Sequence, residues 1–313
     1  MLKIALAQIA PVWLDRARTL VKILQFVEQA ASQDAGLVVF GETILPGYPF
    51  WLDHTGGAQF NNDVQKDIFA HYAAEAVCLE EGHLDPLLAK CRELGIACVL
   101  GVLERPLDRG GSSLYCSLVY IDQEGIIQNV HRKLQPTYEE RLVWSPGDGH
   151  GLQVNDIEGF KLGGLNCWEN WMPLPRAALY GLGETLHIAL WPGNVRNTEV
   201  LTRFLAREGR SYCVSVSGVM RPQDIPQDIP HREVILSGFP EMPADGGSCV
   251  ANPDGSWRLA PIAGEEVLVC VELDPKAVVR ERQNFDPSGH YSRPDVTQLT
   301  VNRARQQTVK YID

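Results

Sequence analysis

The chain has 313 residues, 45% hydrophobic and 21% charged, enough for a sizeable core, and its length alone permits two domains. A formal net charge of −11, with no basic run interleaved with aromatics, argues against nucleic acid or an anionic membrane surface as the main partner. No apolar stretch approaches the ~18 residues needed to span a bilayer, and the N-terminus lacks the apolar core and cleavage site of a signal peptide. Eight cysteines without CxxC or metal-ligand spacing predict free thiols in a reducing compartment, hence a cytoplasmic protein with neither metal nor cofactor.

In chain order, Lys3–Ile9 alternates as a strand, and Leu20, Ile23, Leu24, Val27 and Ala31 share one helical face, with Gly36 as the stop. Leu37–Phe40 is a short buried strand running into Gly41-Glu42-Thr43, so the opening unit is a parallel crossover. The stretch Ile44–Gly57 is rich in Pro, Gly and aromatics and fits neither regular element; a helix is expected from Ile68 to about Leu79. Asp85-Pro86 reads as an N-cap and first helical residue, with the helix ending at Gly95. Ile96–Leu103 is a strand, and Leu114–Ile121 and Ile126–Val130 form a hairpin that delivers His131-Arg132-Lys133.

Residues 134–150 read as a loop with one helical turn at Tyr138–Leu142. The strand Phe160–Cys167 follows, then helical turns Trp171–Leu182, strand His187–Trp191, helix Glu199–Gly209 and strand Tyr212–Val219. Arg221–His231, with its QDIP repeat, reads as a Pro-punctuated surface excursion. Strands Gly247–Asn252, Ser256–Ile262 and Glu266–Leu273 and a helix Pro275–Arg282 close the chain. Strands and helices alternate, with a hairpin ending each half; this predicts two similar halves in one α/β domain, residues 1–313.

Three of these strands end in a reactive side chain: Glu42, Lys133 and Cys167. Singly, each has an ordinary explanation as a solvated acid, an exposed lysine or a core thiol. Together they make a coherent set, because chemistry collects beyond the carboxyl ends of strands in open α/β folds. A carboxylate takes the thiol proton, and an ammonium favours the thiolate and stabilises developing negative charge. A strand-to-helix junction at Cys167 is expected to lower the thiol pKa further.

This combination resembles the Glu-Lys-Cys triad of the nitrilase superfamily, and the resemblance covers nearly the whole chain. It is carried by VVFGETILPGYPFW, with Gly41 where relatives usually have Pro, by HRKLQPTYEERLVWSPGDG, and by GGLNCWENWMPLPRAALYGLG, whose Cys-Trp-Glu-Asn is the form seen in true nitrilases. HIALWPG, AREGRSYCVSVSG, GGSCVANPDG and FDPSGHYSRPD follow in order. The resemblance implies an α-β-β-α sandwich, with Glu42 as general base, Lys133 as catalytic lysine, Cys167 as nucleophile and Glu140 as the second glutamate. Glu139 is then a solvated neighbour, and the Trp168 backbone N–H is a partner of Lys133 in holding charge.

The implied activity is hydrolysis of a small organic nitrile to the acid and ammonia. The rivals are an amidase or carbamoylase on the same scaffold and a catalytically silent assembly protein. Tyr48, Trp51, Trp168 and Trp191 suggest an aromatic-rimmed substrate pocket. His131 reads as a structural hydrogen-bonding residue and His290 as too far from a strand end to act. A homodimer is expected, with the tail from about residue 284 at the subunit interface and the part after Tyr291 ordered only by lying on a partner.

Overall fold

The computed structural model describes residues 1–309 and 312. The first half runs β1 (Leu2–Gln8), α1 (Arg16–Ala31), β2 (Leu37–Phe40), α2 (Trp51–His54), α3 (Asp63–Ala74), α4 (Asp85–Leu94), β3 (Ala97–Glu104), β4 (Tyr115–Ile121) and β5 (Ile127–Arg132). The second runs β6 (Asn155–Ile157), β7 (Phe160–Asn166), α5 (Pro173–Gly181), β8 (Leu186–Trp191), α6 (Val195–Gly209), β9 (Tyr212–Ser217) and β10 (Val219–Met220). It ends with α7 (Arg232–Gly238), β11 (Ala244–Ala251), β12 (Trp257–Ala263), β13 (Val267–Leu273) and α8 (Pro275–Arg282).

The halves correspond strand for strand except for the two-residue β10, which pairs with β11 in the second sheet alone. In one sheet β1, β2 and β3 are parallel and β4 and β5 follow antiparallel; in the other β7, β8 and β9 are parallel and β11 and β12 follow antiparallel. Each sheet has an antiparallel strand at its other edge, β13 beside β1 and β6 beside β7. Because β13 returns to the first sheet, from Leu2 opposite Leu273 to Gln8 opposite Val267, the halves share strands.

Apolar residues on both sides of these strands force the layering. Leu2, Ile4, Leu6, Val39 and Val99 meet Leu162, Ile188, Val214 and Val216 between the sheets. Ala5, Val38 and Cys98 face outward onto Ile23 and Val27 of α1 and Leu87 and Cys91 of α4. On the far side, Ala189 and Cys213 pack against Leu201 and Leu205 of α6. The result is the expected α-β-β-α sandwich, in which each fully buried Leu, Ile or Val contributes about 1.5–3 kcal/mol.

Several boundaries move for local reasons. α1 ends earlier than Gly36: Asp34 takes the left-handed turn (φ 59°), and the Gly36 N–H joins the sheet at the Lys3 carbonyl. α3 begins at Asp63, five residues before the expected start at Ile68, because the Asn62 side chain accepts from Gln65 N–H. The segment after Arg221 is no surface excursion. Its repeat places Ile225 and Ile229 inward, where with Ile235 of α7 they join Trp13, Trp51, Tyr72 and Trp144. Nor does the whole tail need a partner for its bonds: Arg305 pairs with Asp148 of its own chain, and Gln306 N–H donates to the same carboxylate. Among the described residues no helix is long and apolar enough to cross a membrane.

Candidate active site

Backbone hydrogen bonds join the carboxyl ends of the two sheets, from the Glu42 N–H to the Trp191 carbonyl at 3.0 Å and from the Val219 N–H to the Ile9 carbonyl at 3.1 Å. Glu42 lies just beyond β2, crossing β3 at Gly101, where a Cβ would stand 2.2 Å from the Gly41 carbonyl oxygen. Gly41 is equally constrained, since its own Cβ would lie 2.9 Å from the Trp191 carbonyl oxygen. Small residues at both positions bring the Glu42 side chain to the sheet junction.

Lys133 follows β5 directly and is held by its backbone, donating to the Cys116 carbonyl and accepting from Gly147 N–H, both at 2.8 Å. Its fully buried ammonium donates to Glu42 Oε1 at 2.9 Å and Glu140 Oε2 at 2.7 Å, with the Trp144 ring 5.4 Å away. Glu140 sits on the helical turn Tyr138–Leu142, expected from sequence. Thr137 N–H donates to its Oε2 at 2.6 Å and the Tyr48 hydroxyl to its Oε1 at 2.8 Å.

Cys167 comes immediately after β7 with φ 47°, a left-handed backbone that few residues other than glycine adopt. Its sulfur and carboxylate oxygens of Glu42 and Glu140 all lie within 4.8 Å of one another. Such a trio could ligate a cation, but the cation between the two carboxylates is the Lys133 ammonium. The three strand-end residues and Glu140 thus converge.

Burial governs the electrostatics. It pushes Glu42 up to about 7, against the pull of Lys133. Burial alone would lower Lys133, yet Glu42, Cys167 and Glu140 hold it well above its usual value. The Cys167 thiol is raised well above its ordinary range by burial and then by Glu42, an effect that Lys133 and the Trp168 N–H only partly oppose. The expected lowering at a helix start is therefore corrected: only a five-residue 3-10 turn, Cys167–Trp171, follows the strand, and two buried carboxylates face the sulfur. A thiol raised in this way favours its protonated form, so attack by its sulfur calls for a base.

The aromatic residues divide. Tyr48 belongs to the site through Glu140 and stacks edge-on with Trp144 at 5.5 Å. Trp191 is buried in the cluster containing Cys167, its indole N–H donating to Ser215 Oγ. Trp168 contributes its backbone; its half-exposed indole lines a surface cavity of about 850 Å³ with Trp171, Asn194, Arg196, Asn197 and Val200. Trp51 is fully buried core, packed edge-on against Tyr72 at 4.9 Å, and borders only a cavity with Gln59, Gln65 and Phe69, away from the Glu42–Lys133–Cys167 group. Glu139 is half-buried against Asp53, not freely solvated, and lines a separate cavity with Tyr138 and Leu142. His290 is exposed beside Tyr291.

Sequence reasoning missed Cys116, whose S–H donates to Glu42 Oε1 at 3.3 Å, and Trp144. It also passed over Glu169. This buried carboxylate accepts from Asn166 N–H (2.9 Å), Leu134 N–H (2.7 Å) and the His131 ring (3.0 Å), tying the cysteine turn to the lysine loop. Asn166 followed three residues later by Glu169 is a capping-box spacing and was the available signal.

The family model for carbon-nitrogen hydrolases matches residues 3–283. The chain belongs to that family. It is 34% identical to "Nitrilase 2" from an unknown prokaryotic organism, covering 99% of this chain and 95% of that protein. It is 33% identical to an aliphatic nitrilase of Rhodococcus rhodochrous, covering 96% of this chain and 82% of the relative. Among solved structures, an amidase from Nesterenkonia sp. AN1 superposes with a TM-score of 0.66 at 21% identity, over 90% of this chain and 97% of that one. That likeness speaks for the fold alone.

Proposed function

We propose that this carbon-nitrogen hydrolase is a nitrilase, converting a small organic nitrile and two waters to a carboxylic acid and ammonia with Cys167 as nucleophile. The observation that carries this reading is the buried Glu42–Lys133–Glu140 group closed around the Cys167 thiol. Glu42 takes the thiol proton as sulfur attacks the nitrile carbon, and that proton passes to the nitrogen, giving a thioimidate. Glu42 then activates water for addition; the tetrahedral species, held by Lys133 and the Trp168 N–H, expels ammonia to leave a thioester. A second water, activated in the same way, releases the acid and restores the thiol. Glu140 positions Lys133, while Tyr48 and Trp191 wall the reacting carbon.

The eight cysteines are all free thiols, which supports a reducing, cytoplasmic setting. The exposed Trp168, Trp171, Leu174, Val200 and Phe204 support a homo-oligomer, with residues 1–313 as one domain and the tail from about 284 beside a subunit interface.

A panel of aliphatic, aryl and arylacetyl nitriles and cyanide, assayed separately for ammonia, acid and amide, tests the reading. Equimolar acid and ammonia are expected, with no turnover by Cys167→Ala and almost none by Cys167→Ser. Amide hydrolysis with no nitrile turnover would move the assignment to an amidase.

A further inference from the structure

Beneath Cys167 lies a buried polar chain that takes no direct part in the reaction. The Asn170 side-chain amide donates to the Cys167 carbonyl at 2.9 Å and to the Leu165 carbonyl at 3.2 Å. With both hydrogens committed to carbonyl oxygens, its own oxygen is turned toward His187 Nε2, 2.7 Å away. An oxygen that can only accept requires Nε2 to carry a hydrogen. The opposite ring nitrogen, Nδ1, faces Glu184 Oε1 at 2.9 Å, and all three side chains are buried. Arg176 secures Asn170 from the other side: its Nη1 donates to the Asn170 carbonyl at 2.8 Å while its Nε pairs with Glu208 at 2.8 Å.

The clamp acts where the backbone is under strain. Cys167 occupies the left-handed region at φ 47°, and such a conformation persists only when its surroundings over-determine it. The Asn170 amide grips the carbonyl of the nucleophile itself and the carbonyl two residues earlier, at the end of β7. Resting on the reading of Cys167 as nucleophile, we propose that Asn170 and His187 are positioning residues: Glu184 orients the His187 ring, His187 fixes the Asn170 amide, and that amide holds Cys167 where its sulfur meets Glu42.

Steady-state nitrile hydrolysis by the full chain tests this with a paired substitution. His187→Leu removes the donor, and kcat is expected to fall about tenfold or more with KM within about threefold, because misplaced reacting atoms slow the chemical step more than binding. His187→Gln keeps an N–H donor and is expected to restore kcat to within about threefold of wild type. Retention of wild-type kcat by His187→Leu overturns the proposal, as does a fall in His187→Gln equal to that in His187→Leu. Nitrogen NMR of the wild-type imidazole tests it without any variant: a proton on His187 Nε2 is expected, and an unprotonated Nε2 overturns it. Cys167→Ala separates the two readings. Turnover by that variant overturns the nucleophile, whereas an inert Cys167→Ala beside a fully active His187→Leu overturns only the positioning role.

Discussion

Two carboxylates touch one ammonium in this site, and their remaining contacts set them apart. Glu140 has both oxygens engaged, by Tyr48 on one side and by Lys133 and Thr137 N–H on the other. Glu42 has its Oε2 buried without a hydrogen-bond partner among the described residues, the free acceptor that a base toward the thiol requires. Glu42→Gln is therefore expected to lower kcat by about 10²- to 10⁴-fold, the usual worth of a general base. Since burial pushes Glu42 up to about 7, the base is progressively protonated below that pH, and kcat/KM is expected to fall on the acid side with a midpoint near 7. A pH–rate profile flat down to pH ~5 would contradict the assignment, since Glu42 would then not be the titrating base. Glu140→Gln should also be severely damaging. Glu139→Gln should stay near wild type, because that substitution merely relieves its crowding against Asp53. Measuring both variants decides the register: an essential Glu139 beside a dispensable Glu140 would reverse the two roles.

Between elements, Glu169 holds the end of β7 to the end of β5. Burial would raise this carboxyl, but His131 and the N–H groups of Asn166 and Leu134 keep it below its ordinary 4.5. A carboxyl depressed in the folded state adds stability that is present above 4.5 and lost as pH falls through the lower folded value. Glu169→Gln is expected to destabilise the neutral protein by about 3–5 kcal/mol, the loss usual for breaking a buried pair. It should also flatten the acid limb of stability, and urea unfolding across pH reads both effects; an unchanged acid limb would contradict the tie. Most strands were legible because apolar runs such as Leu37–Phe40 have little alternative to burial. Glu42, Lys133 and Cys167 were legible because each stands at the end of such a strand. Convergence was not, since it depends on how the two sheets stack and on contacts between them such as the Glu42-to-Trp191 bond. The inward isoleucines of the QDIP repeat were hidden by the prolines around them, which signal a loop but not its burial.

At the scale of the whole molecule, the turn and helices over the outer face of the second sheet carry a cluster of exposed apolar side chains. Trp168 and Trp171, on the turn after the nucleophile, share a cavity with Val200 of α6, and the Arg176 guanidinium lies 5.7 Å from the Phe204 ring, joining α5 to α6. These aromatic and aliphatic groups and Leu174 are each half or more exposed, from Phe204 at 50% to Val200 at 65%. A contiguous patch of that kind marks an association surface, and a self-complementary one closes as a two-fold dimer. Part of the tail is already committed to its own chain through Arg305 and Gln306, which leaves less of it for further contacts between copies. A homodimer is therefore expected, with short oligomers allowed and long filaments not. Light scattering over a concentration series checks the dimer, with Val200→Glu and Phe204→Glu placing two like charges at the centre of the contact. Both substitutions sit on exposed positions of α6, so the folded monomer should survive while the dimer dissociates. A wild-type chain that stays monomeric at every concentration, or a double variant that still dimerises, would place the interface elsewhere; micrometre-scale filaments under the electron microscope would contradict the limit on growth.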